Sequence, residues 1–416
     1  MEVVHVRCAG LDVSKKDAKV CVRIAGAGRR KTTETVTTWS SMTNQVLALR
    51  EHLAAEQVTC VVMEATGNYW KPFYYLLEDL PGVEVELVNA RHVKNLPGRK
   101  TDVADSAWLA QLAECGLLRG SFVPPAVIAE LRDLTRYRKK LIEDRVRETQ
   151  RLQKILEDAG IKLDSVATDV LGVGPRRMIE ALIGGERDPE VLAEMALTRM
   201  RSKIGDLREA LVGRFGPHHA RMARLHLDHI DYLAGQIGRL DADIDEVIAP
   251  FVEAVRLLKT IPGVGDRTAQ VIIAEIGVDM TRFASAGHLA SWAGLCPGNH
   301  ESAGKSTSGR ARKGNAALRT ALCEAAWVAS RTKGTYLSAQ YRRFRRRFGS
   351  RSETKAIFAV AHTMIVIVWH VLSENVEYNE LGEDYFTGRN ETQQRVNRLV
   401  AELRRLGQTV TLEPAA

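Results

Sequence analysis

Four acidic residues stand where apolar runs end or a helix begins. Asp12 closes a β-branched run at 3–12, Glu64 closes a shorter one at 59–64, and Asp102 and Asp105 open a helical stretch at 103–115. The helical spacing of three puts Asp102 and Asp105 on one face. If the first and fourth strands lie side by side in a mixed sheet, Asp12 and Glu64 meet at the strand ends. Four converging carboxylates repel strongly unless a hard cation neutralises them. Oxygen-only ligation suits Mg²⁺ or Mn²⁺, and two such ions can clamp both oxygens of a phosphoryl displacement. Each acid alone has a plainer reading, with Asp102 as a first-turn acid favoured by the helix dipole and Asp12 and Glu64 as strand-end caps. Taken together in this strand order, they favour a metal site.

Three further segments carry chemistry suited to a phosphodiester. In LLKTIPGVGDRTAQVIIAEIG (257–277) a helix stops at Pro262, Gly263 and Gly265 flank Val264, and a new helix begins near Asp266. Outward-pointing N–H groups and a helix N-terminus can bind a nucleic-acid phosphate without reading sequence. An ordinary tight turn uses the same residues, but Arg256, Lys259 and Arg267 beside it add weight to phosphate binding. The segment 294–319 combines hydroxyls (Ser302, Ser306, Thr307, Ser308), glycines (Gly304, Gly309, Gly314) and cations (Lys305, Arg310, Arg312, Lys313, Arg319). Such a loop can hold a phosphodiester while a hydroxyl attacks it, although composition alone specifies only a flexible basic loop. Finally, Arg342, Arg343, Arg345, Arg346 and Arg347 crowd into six positions, which favours phosphate contacts over a plain solvated face.

The elements that must position these groups follow from periodicity. Runs at 3–12, 19–25 and 33–39 read as three consecutive antiparallel strands. A helix (44–56), a strand (59–64), a helix (69–80), a strand (83–88) and a helix (103–115) follow. This is a mixed α/β layer of the ribonuclease H type, closed by Pro124 and Pro125. The aromatic stripe of Tyr69, Phe73 and Leu76–Leu77 reads as core rather than a base-stacking platform. Beyond it the chain turns helical, with one long helix at 128–159 and another whose Ile230, Leu233, Ile237, Leu240, Ile244 and Val247 form a heptad seam. An intramolecular helical hairpin and a dimerising coiled coil fit that seam equally well. The expected organisation is a catalytic domain (1–125), a helical or coiled-coil domain (126–255), a mostly helical C-terminal domain (256–372) with a helix–hairpin–helix element, and a weakly ordered polar tail (373–416).

Composition sets the outer bounds. The 416 residues are 45% hydrophobic and 26% charged, which is ordinary globular usage and excludes wholesale disorder. The net charge of +8 is clustered and suggests a polyanionic partner. The six cysteines form no C-x-x-C pair, which fits reduced thiols in a cytoplasm. The residues MEVVHVRCAGLDVS contain no basic stretch followed by a long apolar run, so secretion is not expected. The apolar run at 356–372 carries His362 and His370 and falls short of the ~20 residues a spanning helix needs, so it reads as a buried helix and no membrane association is expected. His218, His219, His226 and His229 flank a charged helix and read as solvated rather than metal-bound. No Walker A or dinucleotide glycine motif appears, so nucleotide-driven chemistry is unsupported.

The motifs GLDVSK (10–15), MEATGNYW (63–70), the N-A-R…K-T-D-x-x-D run (89–105), IPGVG (261–265) and AGLCPGNHESAGKSTSGRARKGN (293–315) resemble those of the DEDD-type insertion-sequence transposases. They stand in family order and span most of the chain. The resemblance implies a RuvC-like N-terminal domain with Asp12, Glu64, Asp102 and Asp105 as Mg²⁺- or Mn²⁺-binding acids. It also implies a C-terminal domain whose nucleophile is Ser302, with Ser306 and Ser308 as nearby candidates. DNA at the element ends and target, a structured guide RNA, and further copies of the chain in a dimer or tetramer are the partners it implies. The segment 172–214 looks longer than in compact members. Two other functions remain compatible with the residues: a junction endonuclease using the acids and water, and a non-enzymatic DNA-binding protein using the hairpin and basic patches.

Overall fold

The computed structural model describes residues 3–26, 31–65, 67–89, 104–298, 300–302, 305–308, 311, 313–349 and 352–412. The chain forms two compact units, Met1–Val123 and Pro124–Ala416.

In the first unit, β1 (Arg7–Val13), β2 (Asp17–Ile24) and β3 (Thr33–Ser40) form an antiparallel meander, and β4 (Cys60–Glu64) and β5 (Glu84–Val88) add in parallel beside β1. The sheet order is β3-β2-β1-β4-β5. This mixed order is the one anticipated for a ribonuclease H-type layer. Strand alternation sorts the core into two layers. Leu11, Val20, Val61 and Met63 pack under α1 (Thr43–Ala55) and α2 (Trp70–Leu77) through Leu49, Leu53, Phe73 and Leu77. Phe73 and Leu77 are therefore core, as the aromatic stripe suggested, while Tyr69 is exposed. Cys8, Cys21, Cys60 and Val62 face the other way, onto Leu109, Ala110 and Ala113 of α3 (Ala104–Glu114). Burial pushes the thiols of Cys8 and Cys60 up to about 12, and all six cysteines are free.

The second unit opens with Pro124 and Pro125, the latter the N-cap of α4 (Ala126–Asp158). Four short helices, α5 (Leu163–Val166), α6 (Val173–Gly184), α7 (Pro189–Glu194) and α8 (Ile204–Ala210), lead to α9 (Pro217–Ile248). The heptad seam of α9 is covered from within the chain: Leu233 and Ile237 pack on Leu141 of α4, with Leu240 at the margin. The intramolecular reading of the seam thus describes this fold. Segment 172–214 closes one end of the hairpin, where Met178, Leu192, Leu207 and Phe215 share a core with Leu152, Leu156 and Leu227. Arg138, which interrupts the apolar face of α4, is buried and donates to Asp241 and Gln270, both at 2.8 Å.

The remaining helices are α10 (Val252–Lys259), α11 (Asp266–Ile276), α12 (Ala286–Ala293), α13 (Ala316–Arg331), α14 (Tyr336–Phe348), α15 (Glu353–Glu374) and α16 (Tyr385–Arg405). By length and composition α15 could cross a membrane. Here it packs against α12, α13 and α14 and buries Ala356, Val360, Met364, Ile365 and Val368, as expected of a core helix. The polar tail differs from expectation, because it contains α16, and its leading segment bonds to α10 and α14.

Candidate active site and nucleic-acid interface

The acids are placed by strand register. Leu11 of β1 lies opposite Met63 of β4, so Asp12 and Glu64 follow as neighbours one position on, at the C-terminal ends of parallel strands. Adjacent strands lie about 4.8 Å apart. By alternation both residues share the face that carries α3. That helix comes unusually close to the sheet: a Cβ on Gly10 would stand 2.2 Å from the Ser106 carbonyl oxygen and 2.5 Å from the Ala110 nitrogen. Only glycine two residues before Asp12 lets the helix lie there, and the first turn of α3 carries Asp105. Asp12, Glu64 and Asp105 are all half-buried. Ser106, next to Asp105, buries its hydroxyl with no hydrogen-bond partner among the described residues. Asp102 lies outside the described residues, and among those described no three His, Cys, Asp or Glu side chains gather to hold a metal ion. The donors present are carboxylate oxygens and a hydroxyl. Thiols and imidazoles are absent from this set, which matches a hard divalent cation in kind.

The expected serine loop contains a short hairpin. Strands β6 (His300–Ser302) and β7 (Lys305–Ser308) pair with Ser302 opposite Lys305, Glu301 opposite Ser306 and His300 opposite Ser308. The register thus distinguishes the three serines, with Ser302 next to the residues that join the strands. Hydroxyls alternating with small residues gave no apolar period from which to predict strands. Gly304, Gly309, Arg310 and Arg312 lie outside the described residues, and Lys313 is exposed.

Between α10 and α11 the two glycines do different work. Gly263 has φ +89°, and a Cβ there would fall 2.3 Å from the Ala325 carbonyl oxygen of α13. Its requirement is helix packing. Gly265 is exposed with open space around it. The cations beside the turn are engaged: Lys259 with Asp266 at 2.6 Å, Arg267 with Asp241 at 3.0 Å, and Arg256 with Glu253 and Glu377. The arginine run on α14 is similarly occupied. Arg342 bonds Glu383 at 3.0 Å, Arg343 lies over the Phe386 ring at 5.0 Å, and Arg345 pairs with Glu353. Arg346 and Arg347 are exposed and form no ion pair among the described residues. The acids at 377–383 that partner these arginines lie far from them in sequence and were not anticipated.

Of the four histidines, His218 and His229 are exposed as anticipated, while His219 and His226 are half-buried. His226 Nδ1 lies 2.7 Å and His229 Nδ1 3.4 Å from Glu148, and His219 Nε2 lies 2.9 Å from Asp158. Burial would raise the Glu148 carboxyl, but hydrogen bonds from His226, Arg151 and His229 overcome it and hold the group down at about 2. These contacts tie α9 to α4.

Residues 9–161 match the DEDD transposase family model of the IS110 type, and residues 255–342 match the model described as "Transposase IS116/IS110/IS902 family". Together the matches cover more than half of the chain and contain Asp12, Glu64, Asp102, Asp105 and Ser302. The chain belongs to the IS110-type family of transposases. It is an enzyme of DNA transposition and recombination. The transposase is 29% identical over 342 residues to an insertion element IS110 protein of Streptomyces coelicolor, covering 72% of this chain and 76% of that one. It is 32% identical over 160 residues to the pilin gene-inverting protein of Moraxella bovis, covering 37% of this chain and 48% of that protein. A Thermus thermophilus RuvC structure aligns over 28% of the transposase and 99% of its own length at 14% identity, with a TM-score of 0.23. The strand order, rather than that alignment, carries the fold assignment.

Proposed function

We propose that this transposase cuts and rejoins DNA through a covalent serine intermediate, with Asp12, Glu64, Asp102 and Asp105 as the acids that hold Mg²⁺ or Mn²⁺. The observation that carries the reading is the adjacency of Asp12 and Glu64 at parallel strand ends, under the helix whose first turn carries Asp105. A divalent cation bound there supplies charge stabilisation to the scissile phosphate and the departing oxygen. The Ser302 oxygen attacks phosphorus and gives up its proton, for which His300 is the nearest imidazole in sequence. The phosphorus–3′-oxygen bond breaks, leaving a 5′-phosphoserine link and a free 3′-hydroxyl that gains a proton. In the reverse step a 3′-hydroxyl of the partner strand attacks the phosphoserine and releases Ser302. Phosphodiester energy is conserved in the covalent link, so no nucleotide is consumed. Lys305, Arg310, Arg312 and Lys313 on the serine loop, and the arginines of α14, hold the phosphate backbone. Element-end and target DNA, a structured guide RNA and further copies of the chain are the partners in this reading, the last two resting on family resemblance.

Denaturing electrophoresis of labelled DNA with peptide mapping tests it. The wild-type protein in Mg²⁺ should give an adduct at Ser302, Ser302→Ala should give none, and Asp12→Asn should bind DNA but not cut it. An adduct mapping to Ser306 or Ser308 would move the nucleophile. Cleavage without any adduct would leave water as the attacking group.

A further inference from the structure

Gly294 and Gly314, which flank the segment that carries Ser302, meet at one point. A Cβ on Gly314 would lie 2.3 Å from the Gly294 nitrogen and 2.5 Å from the Ala293 carbonyl carbon, so the two backbone ends touch there. Beside this contact, the Asn315 side chain works in two directions. Its Oδ1 accepts the Leu318 N–H at 3.1 Å and caps α13, while its Nδ2 donates to Glu275 Oε2 at 2.6 Å. Glu275 is fully buried on α11. Arg136 of α4 grips its carboxylate twice, Nε to Oε1 at 2.7 Å and Nη2 to Oε2 at 2.8 Å. Arg132 stands 3.4 Å from Oε2 and donates to the Ala274 and Glu275 carbonyls.

Glu275 is buried although Arg136 is half-exposed, and hydrophobic residues of similar volume often join two helices as well as such an ion pair does, or better. Packing α4 on α11 therefore does not account for a carboxylate at 275. The bond to Asn315 is the contact that leaves the helix pair and reaches the loop.

We propose that Glu275 and Asn315 form a clamp that fixes the base of the Ser302 hairpin, making both of them positioning residues for strand cleavage. The inference rests on Ser302 being the nucleophile. The arginines hold Glu275 in one place, Glu275 holds Asn315, and Asn315 sets where the strand from β7 rejoins α13. A nucleophile displaced by about 1 Å can lose on the order of 100-fold in rate, so a fixed loop base is a kinetic requirement.

The test uses the full chain, labelled DNA and the rate of adduct formation at saturating DNA, alongside DNA affinity. Asn315→Ser keeps the helix cap, since serine caps about as well as asparagine, but cannot reach Glu275. The expected result is an adduct rate lower by about 10- to 100-fold with DNA affinity unchanged. Asn315→Asp keeps the cap and sets two carboxylates against each other, so it should be at least as slow. Adding Glu275→Gln to Asn315→Asp removes the repulsion between the two carboxylates at the cost of one Arg136 bond, and should be faster than Asn315→Asp alone. An Asn315→Ser rate equal to wild type would overturn the clamp. Loss of DNA binding in parallel with the rate would make the network purely structural and overturn it as well. If the wild-type protein itself forms no adduct, the serine reading fails first and takes this role with it.

Discussion

Replacing Gly263 by alanine separates two explanations of the P-G-V-G turn, namely phosphate binding and helix packing. In the structure the Gly263 backbone has φ +89°, and the added methyl would stand 2.3 Å from the Ala325 carbonyl oxygen and 2.9 Å from the Ala329 nitrogen. Both are backbone atoms of α13, which cannot swing aside as a side-chain tip can. A left-handed conformation costs a residue with a Cβ about 1–2 kcal/mol. Overpacking a filled interface adds about 1–3 kcal/mol. Gly263→Ala should therefore lose roughly 2–5 kcal/mol of stability in urea unfolding. Gly265→Ala is the contrast. Its φ is −97° and open space surrounds it, so the cost is the poorer N-cap alone, about 1 kcal/mol or less. If amides at the start of α11 do hold a phosphate, Gly265→Ala crowds it and weakens DNA binding without unfolding the protein. An unchanged unfolding midpoint in Gly263→Ala, together with weaker DNA binding, would refute the packing argument.

Two further outcomes follow from charge. Glu148 is held at about 2 against an ordinary 4.5, so its contribution is fully present above about pH 4.5 and is lost as pH falls toward 2; thermal unfolding of Glu148→Gln should show a shallower loss of stability over that window than wild type. Glu383→Gln removes the acid partner of Arg342, and should raise DNA affinity modestly and steepen its salt dependence by up to about one counterion; equal salt slopes in the two proteins would show that Arg342 makes no phosphate contact.

The parts of the site legible in the sequence are those set by short-range pattern. Alternation along 3–12 and 59–64, and the order of a meander followed by helix–strand pairs, sufficed to bring Asp12 beside Glu64. Gly10 carried a further signal, because a glycine inside a buried strand marks a close approach of another backbone. The heptad seam of α9 was legible as an apolar face, but a heptad states only that a helix covers it. Here the cover is α4 of the same chain. Glu275 was illegible for a similar reason. It stands in an apolar run, and its partners lie 139 residues before it, at Arg136, and 40 after it, at Asn315. No local period encodes such a pairing.

The arginine run shows the same limit in electrostatic form. A count of charges along 341–351 predicts a bare cationic face, whereas Arg342, Arg343 and Arg345 each have a partner in place. The cations flanking the α10–α11 turn are paired too. Most of these pairs are solvent-exposed, and an exposed ion pair is worth only about 0–1 kcal/mol. A phosphate backbone that displaces such a carboxylate gives up little and gains from counterion release at each contact. The acids therefore do not seal these surfaces against a polyanion; they hold long, flexible side chains in defined places until one arrives. Glu377 and Glu383 also bind the start of the C-terminal segment to α10 and α14, so under the proposed function a phosphate backbone would compete with that segment for Arg256 and Arg342.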